Sequence, residues 1–264
     1  MEGKTFGFVG VGTINSAVVK GLCTCDTPPK AVVLSPRNAE KAAALQASFP
    51  DRVTIADSNQ AVLDAADWVF LAVPPGPPAA TAALQDLSFR AEHVVVSLIA
   101  GVSPGLLHEQ CQPVPASSIV QAFPLPPAAE HKSTTVMVPK NAAVEAVLAK
   151  LGGVVPVDAF EDAMKIGAVS CVMGDFYAHL RAVHQWLVAQ GIESATASKA
   201  VGSYFATFSH ASELDGPKGA GFDHLVAEQT PGGMNEQVIA ELTAKGNYDN
   251  VKAAMSTLLP RLLG

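Results

Sequence analysis

Short apolar runs and helical patterns alternate along the first 157 residues of this chain. The apolar runs are Thr5–Val9, Ala31–Leu34, Val53–Ala56, Trp68–Val73, His93–Leu98, Ser118–Phe123, Thr134–Val138 and Val154–Val157. Between them lie helical patterns over Thr13–Cys23, Ala39–Ser48, Asn59–Ala65, Ala79–Leu87, Pro104–Gln110 and Ala142–Leu151. Strands separated by helices build βαβ units, and right-handed crossovers lay those units into a mainly parallel sheet with helices on both faces. Residues 1–157 are therefore expected to form a Rossmann-type, doubly wound α/β domain.

The pattern changes after Val157. Asp158 and Glu161 have the spacing of a capping box. Apolar residues then recur at Ala163, Ile166, Val169, Met173, Phe176, Leu180, Val183 and Leu187, which predicts one long helix over 158–190, ended by Gly191. A second helix follows Ser194, with Val201, Tyr204, Phe205 and Phe208 on one side. Beyond a glycine-rich loop, Asp215–Gly221, helical patterns cover Phe222–Glu228, Met234–Ala244 and Tyr248–Leu259. Residues 158–264 read as an all-helical second domain. Its long apolar face, with Phe176, Leu180, Val183 and Leu187, is expected to meet another copy of the chain in a homodimer or higher homo-oligomer, the alternative being an ordinary core within one chain.

Charge and cysteine usage narrow the partners. The net charge is −7 with no basic block, a poor match to nucleic acid, whose phosphates demand clustered Lys and Arg. No apolar run approaches the ~20 residues that cross a bilayer. The opening Met1-Glu2-Gly3-Lys4 lacks the form of a signal peptide. Cys23, Cys25, Cys111 and Cys171 offer no paired metal-ligand spacing, so reduced, unligated thiols and a cytoplasmic address are expected, with no metal.

The first strand ends in Gly10-Val11-Gly12-Thr13-Ile14-Asn15, a G-x-G-x-x-N turn that opens a helix. Gly10 allows the tight turn, and Gly12 lets backbone N–H groups approach a pyrophosphate at the helix N-terminus. Asn15 stands where the fingerprint has its third small residue. At the end of the second strand an NAD enzyme would carry an acid for the ribose 2′-hydroxyl. This chain has Ser35, Arg37 and Asn38 instead. A hydroxyl and a guanidinium suit a 2′-phosphate, so NADPH is the expected cofactor.

The collinear blocks GVGTINSAVVKGL, LSPRNAEKAAAL, DWVFLAVPP, VVVSLIAGVS, IVQAFPLPPA and QTPGGMNEQ resemble the pyrroline-5-carboxylate reductase family nearly end to end. The resemblance implies a Rossmann domain, a helical dimerisation domain, NAD(P)H as hydride donor and a cyclic imine as small-molecule substrate. It implies that Gly10 through Asn15 form the phosphate loop and that Ser35, Arg37 and Asn38 form the 2′-phosphate clamp. Ala72, Val73 and Pro74 would lie beneath the cofactor, and Ala100 and Gly101 beside the nicotinamide. The chain departs from the family at Leu125, at the Val169–Asp175 run and at Met234-Asn235, where the family has Asn, S-G-S-G-P-A-Y and a hydroxyl pair.

Thr230-Pro231-Gly232-Gly233 is a turn that delivers the helix beginning at Met234. The unpaired N–H groups at such a start attract a carboxylate, so Gly233, Met234 and Asn235 are the expected substrate site, with Thr230 and Asn235 at the reacting group. Lys165 stands near the position of the proton-donating lysine of β-hydroxyacid dehydrogenases, which keeps an imine or keto-acid reductase of that kind as an alternative. A non-catalytic NADP sensor is the other. The histidines His179, His184, His210 and His224 read as surface or core polar residues. Gly101-Val102-Ser103-Pro104-Gly105 fits the nucleophile elbow of α/β hydrolases, but Pro104 removes the N–H an oxyanion hole needs. Ser103 is expected to cap a helix instead.

Overall fold

The computed structural model describes residues 1, 3–216, 219 and 221–263. It divides into two compact units, Met1–Gly167 with Leu262–Gly264, and Ala168–Arg261. Within the glycine-rich loop Asp215–Gly221, positions 217, 218 and 220 lie outside the described residues.

All eight expected strands are present in the first unit: β1 Thr5–Val9, β2 Ala31–Leu34, β3 Val53–Ile55, β4 Trp68–Leu71, β5 Val94–Ser97, β6 Ile119–Phe123, β7 Ser133–Val138 and β8 Gly152–Pro156. They form one sheet in the order β3-β2-β1-β4-β5-β6-β7-β8. The first six strands are parallel, β7 runs antiparallel to β6, and β8 runs parallel to β7. The strand order reverses between β1 and β4, the topological switch point of a doubly wound sheet.

Alternate side chains leave each strand on opposite faces, and two cores follow. Phe6 and Phe8 of β1, Phe70 of β4 and Val96 of β5 pack on one face under α1 (Thr13–Thr24), α2 (Ala39–Ser48) and α6 (Ala142–Leu148). Val9, Val69, Leu71 and Val95 pack on the other, under α3 (Asn59–Ala65), α4 (Pro77–Leu84) and α5 (Pro104–Gln110). Phe8 stacks on Phe70 with ring centroids 4.7 Å apart. β8 begins earlier than its apolar pattern because Gly152, at φ +133°, lies so close to the backbone of Ser133 that no Cβ fits. Ser103 caps α5, its hydroxyl accepting from the Leu106 N–H at 3.3 Å, as its place before Pro104 predicts.

The expected single helix over 158–190 is three segments. Phe160–Gly167 is α7, Ala168–Val172 is a 3₁₀ turn, and Met173–Ala189 is α8. Gly167, Ser170 and the β-branched Val169 and Val172 are all poor helix formers, and the backbone tightens there while the apolar face carries on. The boundary of the two units coincides with this break.

The second unit continues with α9 (Ser194–Asp215), α10 (Asp223–Ala227), α11 (Met234–Ala244) and α12 (Asn247–Ser256), before α13 (Leu259–Leu263). Phe205 of α9 meets Phe176 of α8 edge-on at 6.1 Å. Its interior is sparse: Ala168, Ala197, Val201 and Asp215 are its buried residues among those described. Every strongly exposed large hydrophobic among the described residues lies between Val169 and Val251. Phe176 is one of them, while Leu180, Val183 and Leu187 are half-buried. No helix among the described residues is long and apolar enough to cross a membrane, and no cluster of His, Cys, Asp and Glu among them is arranged to hold a metal.

Candidate functional site

The carboxyl ends of β1 and β4 frame a cleft of about 310 Å³ at the switch point, lined by Gly10, Gly12, Arg37, Asn38, Ala72, Val73 and Pro74 among others. Its shape is set by Gly10, whose φ of +88° and approach to the Ala72 carbonyl exclude any side chain. Gly12 caps α1, and an added Cβ there would meet nothing within 4 Å. The cleft is therefore open directly in front of the α1 N-terminus. The first internal bond of that helix end is Ser16 N–H to the Gly12 carbonyl at 3.0 Å, and no acidic residue stands in its first turn. Unpaired N–H groups, the positive end of the helix dipole and an open approach make an anion site. The residues present fit a dinucleotide pyrophosphate.

Two side chains hold this loop from behind. Ser35 is fully buried, and its hydroxyl oxygen accepts from the Gly10 N–H at 2.9 Å. Asn15, also fully buried, turns back to donate from Nδ2 to the Gly10 carbonyl at 2.5 Å. Both polar groups of Gly10 are thus taken by side chains. This corrects the expected role of Ser35: its hydroxyl braces the phosphate loop and does not line the cleft. Asn15 likewise is buried behind the loop and turns its amide away from the cleft.

Arg37 is exposed at the rim with Asn38. Asn38 adopts the left-handed conformation at φ +66°, common for Asn among non-glycine residues, and its Nδ2 donates to the Val11 carbonyl at 2.9 Å. Thr13 is exposed and accepts from Lys41 Nζ at 3.2 Å, while Ile14 packs into the core below. Ala100 and Gly101 are brought beside the loop after β4 by a bond from the Gly76 N–H to the Ala100 carbonyl at 3.1 Å. Asn59, at the start of α3, also lines the cleft. Sequence reasoning missed it. The available signal was its place just after the Ser58 cap and the third strand. Among the described residues, the lining holds no Asp or Glu.

In the helical unit, Gly233 caps α11. The Gly233 N–H is engaged by the Thr230 carbonyl at 2.9 Å, and the Glu236 carboxylate reaches back to the Gly232 N–H at 2.6 Å. The groups left for a carboxylate are therefore those of Met234 and its two successors, one residue later than expected. Asn235 Nδ2 donates to Gln229 Oε1 at 2.8 Å. Gln229 in turn donates from Nε2 to the Leu225 carbonyl at 2.7 Å, so one side chain ties Asn235 to α10. Thr230 and Met234 are exposed.

Lys165 lies on α7 of the first unit and pairs with Glu161 at 2.8 Å, both side chains about half exposed. The hydrogen bond from Lys165 to Glu161 raises the lysine pKa. A raised pKa makes the ammonium a weaker acid, the opposite of what a proton-donating lysine needs.

Residues 5–101 match the family model described as NADP oxidoreductase coenzyme F420-dependent. Among solved structures, the 1-pyrroline-5-carboxylate reductase of Streptococcus pyogenes superposes with a TM-score of 0.79 at 23% identity, over 98% of each chain. The fold is that of pyrroline-5-carboxylate reductase. The reductase of Coxiella burnetii gives 0.80 at 21% identity, over 98% of this chain and 97% of that one. The Plasmodium falciparum reductase, solved with NADP bound, gives 0.78 at 17%, over 99% and 97%. No curated protein matches the sequence significantly. The resemblance read from the blocks of sequence agrees with this reductase fold.

Proposed function

We propose that this chain is a divergent pyrroline-5-carboxylate reductase that reduces a cyclic imine with NADPH, converting 1-pyrroline-5-carboxylate to L-proline. One observation carries the cofactor part: an open, acid-free cleft before the α1 N-terminus with Arg37 at its rim. Gly12 and the first N–H groups of α1 would hold the pyrophosphate, with Gly10 shaping the turn in front of them. Arg37 would take the 2′-phosphate through a charge-assisted contact. Ala72, Val73, Pro74, Ala100 and Gly101 would shelve the ring end. NADPH, when bound, supplies the hydride.

The helical unit supplies the substrate's carboxylate site in this reading. The free N–H groups at the α11 start bind the carboxylate, and Asn235, steadied by Gln229, orients the C=N group. Reduction of an imine asks for orientation more than for strong acid catalysis. The sparse interior of Ala168–Arg261 and its exposed aromatics support a homodimer, since patches of that kind seek a partner surface. The same unit holds a cavity of about 970 Å³ lined by Val172, Val251 and Met255 together with Asp175, His179 and Asn250. The deciding experiment is NADPH oxidation against pyrroline-5-carboxylate, piperideine carboxylates and 2- and 3-keto acids. Turnover of keto acids alone would overturn the imine assignment, and NADPH binding with no turnover would leave a sensor.

A further inference from the structure

We propose that His93 and Arg90 form an acid-released strap on α3 that sets how firmly Asn59 is held at the cofactor cleft, an inference that rests on the cofactor reading of that cleft and not on the imine. The strap is the segment 88–93, which leads into β5. At the start of α3, Gln60 Oε1 accepts from the Ser88 N–H at 2.8 Å and Gln60 Nε2 donates to the Ser88 carbonyl at 3.1 Å. At its end, Arg90 donates from Nη1 to the Leu63 and Asp64 carbonyls at 2.8 and 3.0 Å, and from Nη2 to the Ala66 carbonyl at 2.6 Å. Carbonyls at a helix C-terminus lack internal partners, and a cation suits that negative end. α3 lies directly on β1, because a Cβ at Gly7 would meet Val62 and Ala66 at 2.7 Å. Asn59, the first residue of α3, lines the cleft.

His93 is the part of the strap that answers to a proton. It is fully buried, and both ring nitrogens meet backbone groups whose roles are fixed. Nδ1 accepts from the Arg90 N–H at 3.1 Å, and Nε2 donates to the Leu63 carbonyl at 3.0 Å. An amide N–H only donates and a carbonyl only accepts, so the site takes the neutral ring with its proton on Nε2. A second proton, on Nδ1, would face the Arg90 N–H, unpair it and bury a cation near the guanidinium. Among the charged neighbours, Arg90 opposes that proton and Glu92 favours it. Asp67 lies in the field of Arg90, and the Asp64 carboxylate accepts from Gln60 Nε2 at 2.8 Å. Burial first, then the Arg90 charge, hold the imidazole below its usual value. Between the ordinary histidine value of about 6.5 and the lowered native one, an opened strap takes up a proton that the closed strap refuses. The grip on α3 is complete above that window and is lost as pH falls through it.

The test is hydrogen exchange in the full-length protein, corrected for the intrinsic pH dependence of amide exchange. Protection of the α3 amides is expected to fall by up to about tenfold per pH unit below about pH 6.5, while the amides of β1 and β4 keep theirs. His93→Gln cannot take the proton, so its α3 protection is expected to be flat with pH whatever its starting level. Unchanged protection in the wild type overturns the strap, as does an equal fall in β1 and β4 or the same pH slope in His93→Gln. NADH serves as the probe of the cleft because it lacks the titrating 2′-phosphate of NADPH. At about 100 times its Kd, NADH is expected to raise α3 protection about a hundredfold, the gain of a ligand that binds the closed form alone. Acid-sensitive α3 protection with no gain from bound NADH would separate the strap from the cleft and overturn the proposal. NADH that fails to bind at all would remove the cofactor reading and this inference with it.

Discussion

Ser35→Ala separates two roles for one hydroxyl. In the structure the Ser35 oxygen is fully buried and accepts from the Gly10 N–H at 2.9 Å. Alanine leaves that donor without its partner, which costs about 1–3 kcal/mol. For a chain of this size that is a fall in Tm of roughly 2–4 °C per kcal/mol. The loop also loses one of the two side chains that grip Gly10, so the N–H cradle at α1 is less ordered before ligand arrives. Affinity for NADPH and NADH should then fall by the same factor, roughly tenfold for each 1.4 kcal/mol. Fluorescence titration with both nucleotides, beside calorimetric melting, reads both quantities. An unchanged Tm with loss of NADPH binding alone would refute the bracing role and restore Ser35 to the 2′-phosphate.

Arg37→Ala should show the converse pattern, a loss of about ten- to a hundredfold for NADPH with NADH nearly unchanged; equal losses would remove Arg37 from the clamp. Asn235→Ala should lower kcat/KM by ~10²-fold in steady-state assays while NADPH affinity stays within about a factor of two. Lys165→Met should keep its turnover, and its inactivation beside an active Asn235→Ala would move the proton donor to α7. Light scattering should give at least twice the 27.2 kDa of one chain at micromolar concentration, and a monomer would refute the assembly.

The sheet was legible because its strands are buried. Runs such as Trp68–Leu71 are apolar throughout, and turn residues bound them, so the existence of all eight strands follows from pattern, whereas their order in the sheet and the antiparallel run of β7 do not. The break at Gly167–Val172 was not legible, because apolar spacing reports which face is covered and not which carbonyl each N–H meets. At the cleft, the Gly10-x-Gly12 turn and Arg37 could be read directly. The direction of the Ser35 hydroxyl could not, since position at the end of β2 is shared by a bracing and a contacting side chain. Asn59 comes to the cleft from a different βα junction, and Asp215, the last residue of α9, meets His224 of α10. Neither leaves a periodic trace.

The thin interior of the helical unit bears on how the chain is made. Residues up to Gly167 carry two large cores whose folding is expected to be a unimolecular event, with Leu262 joining a smaller third cluster from the end of the chain. Among the described residues, Ala168–Arg261 encloses four and leaves aromatics such as Phe176 and Tyr204 exposed. If this face is covered by a second copy as proposed, its folding is expected to be second order in protein, so maturation would slow on dilution and chains would pass through a half-finished state prone to mispairing.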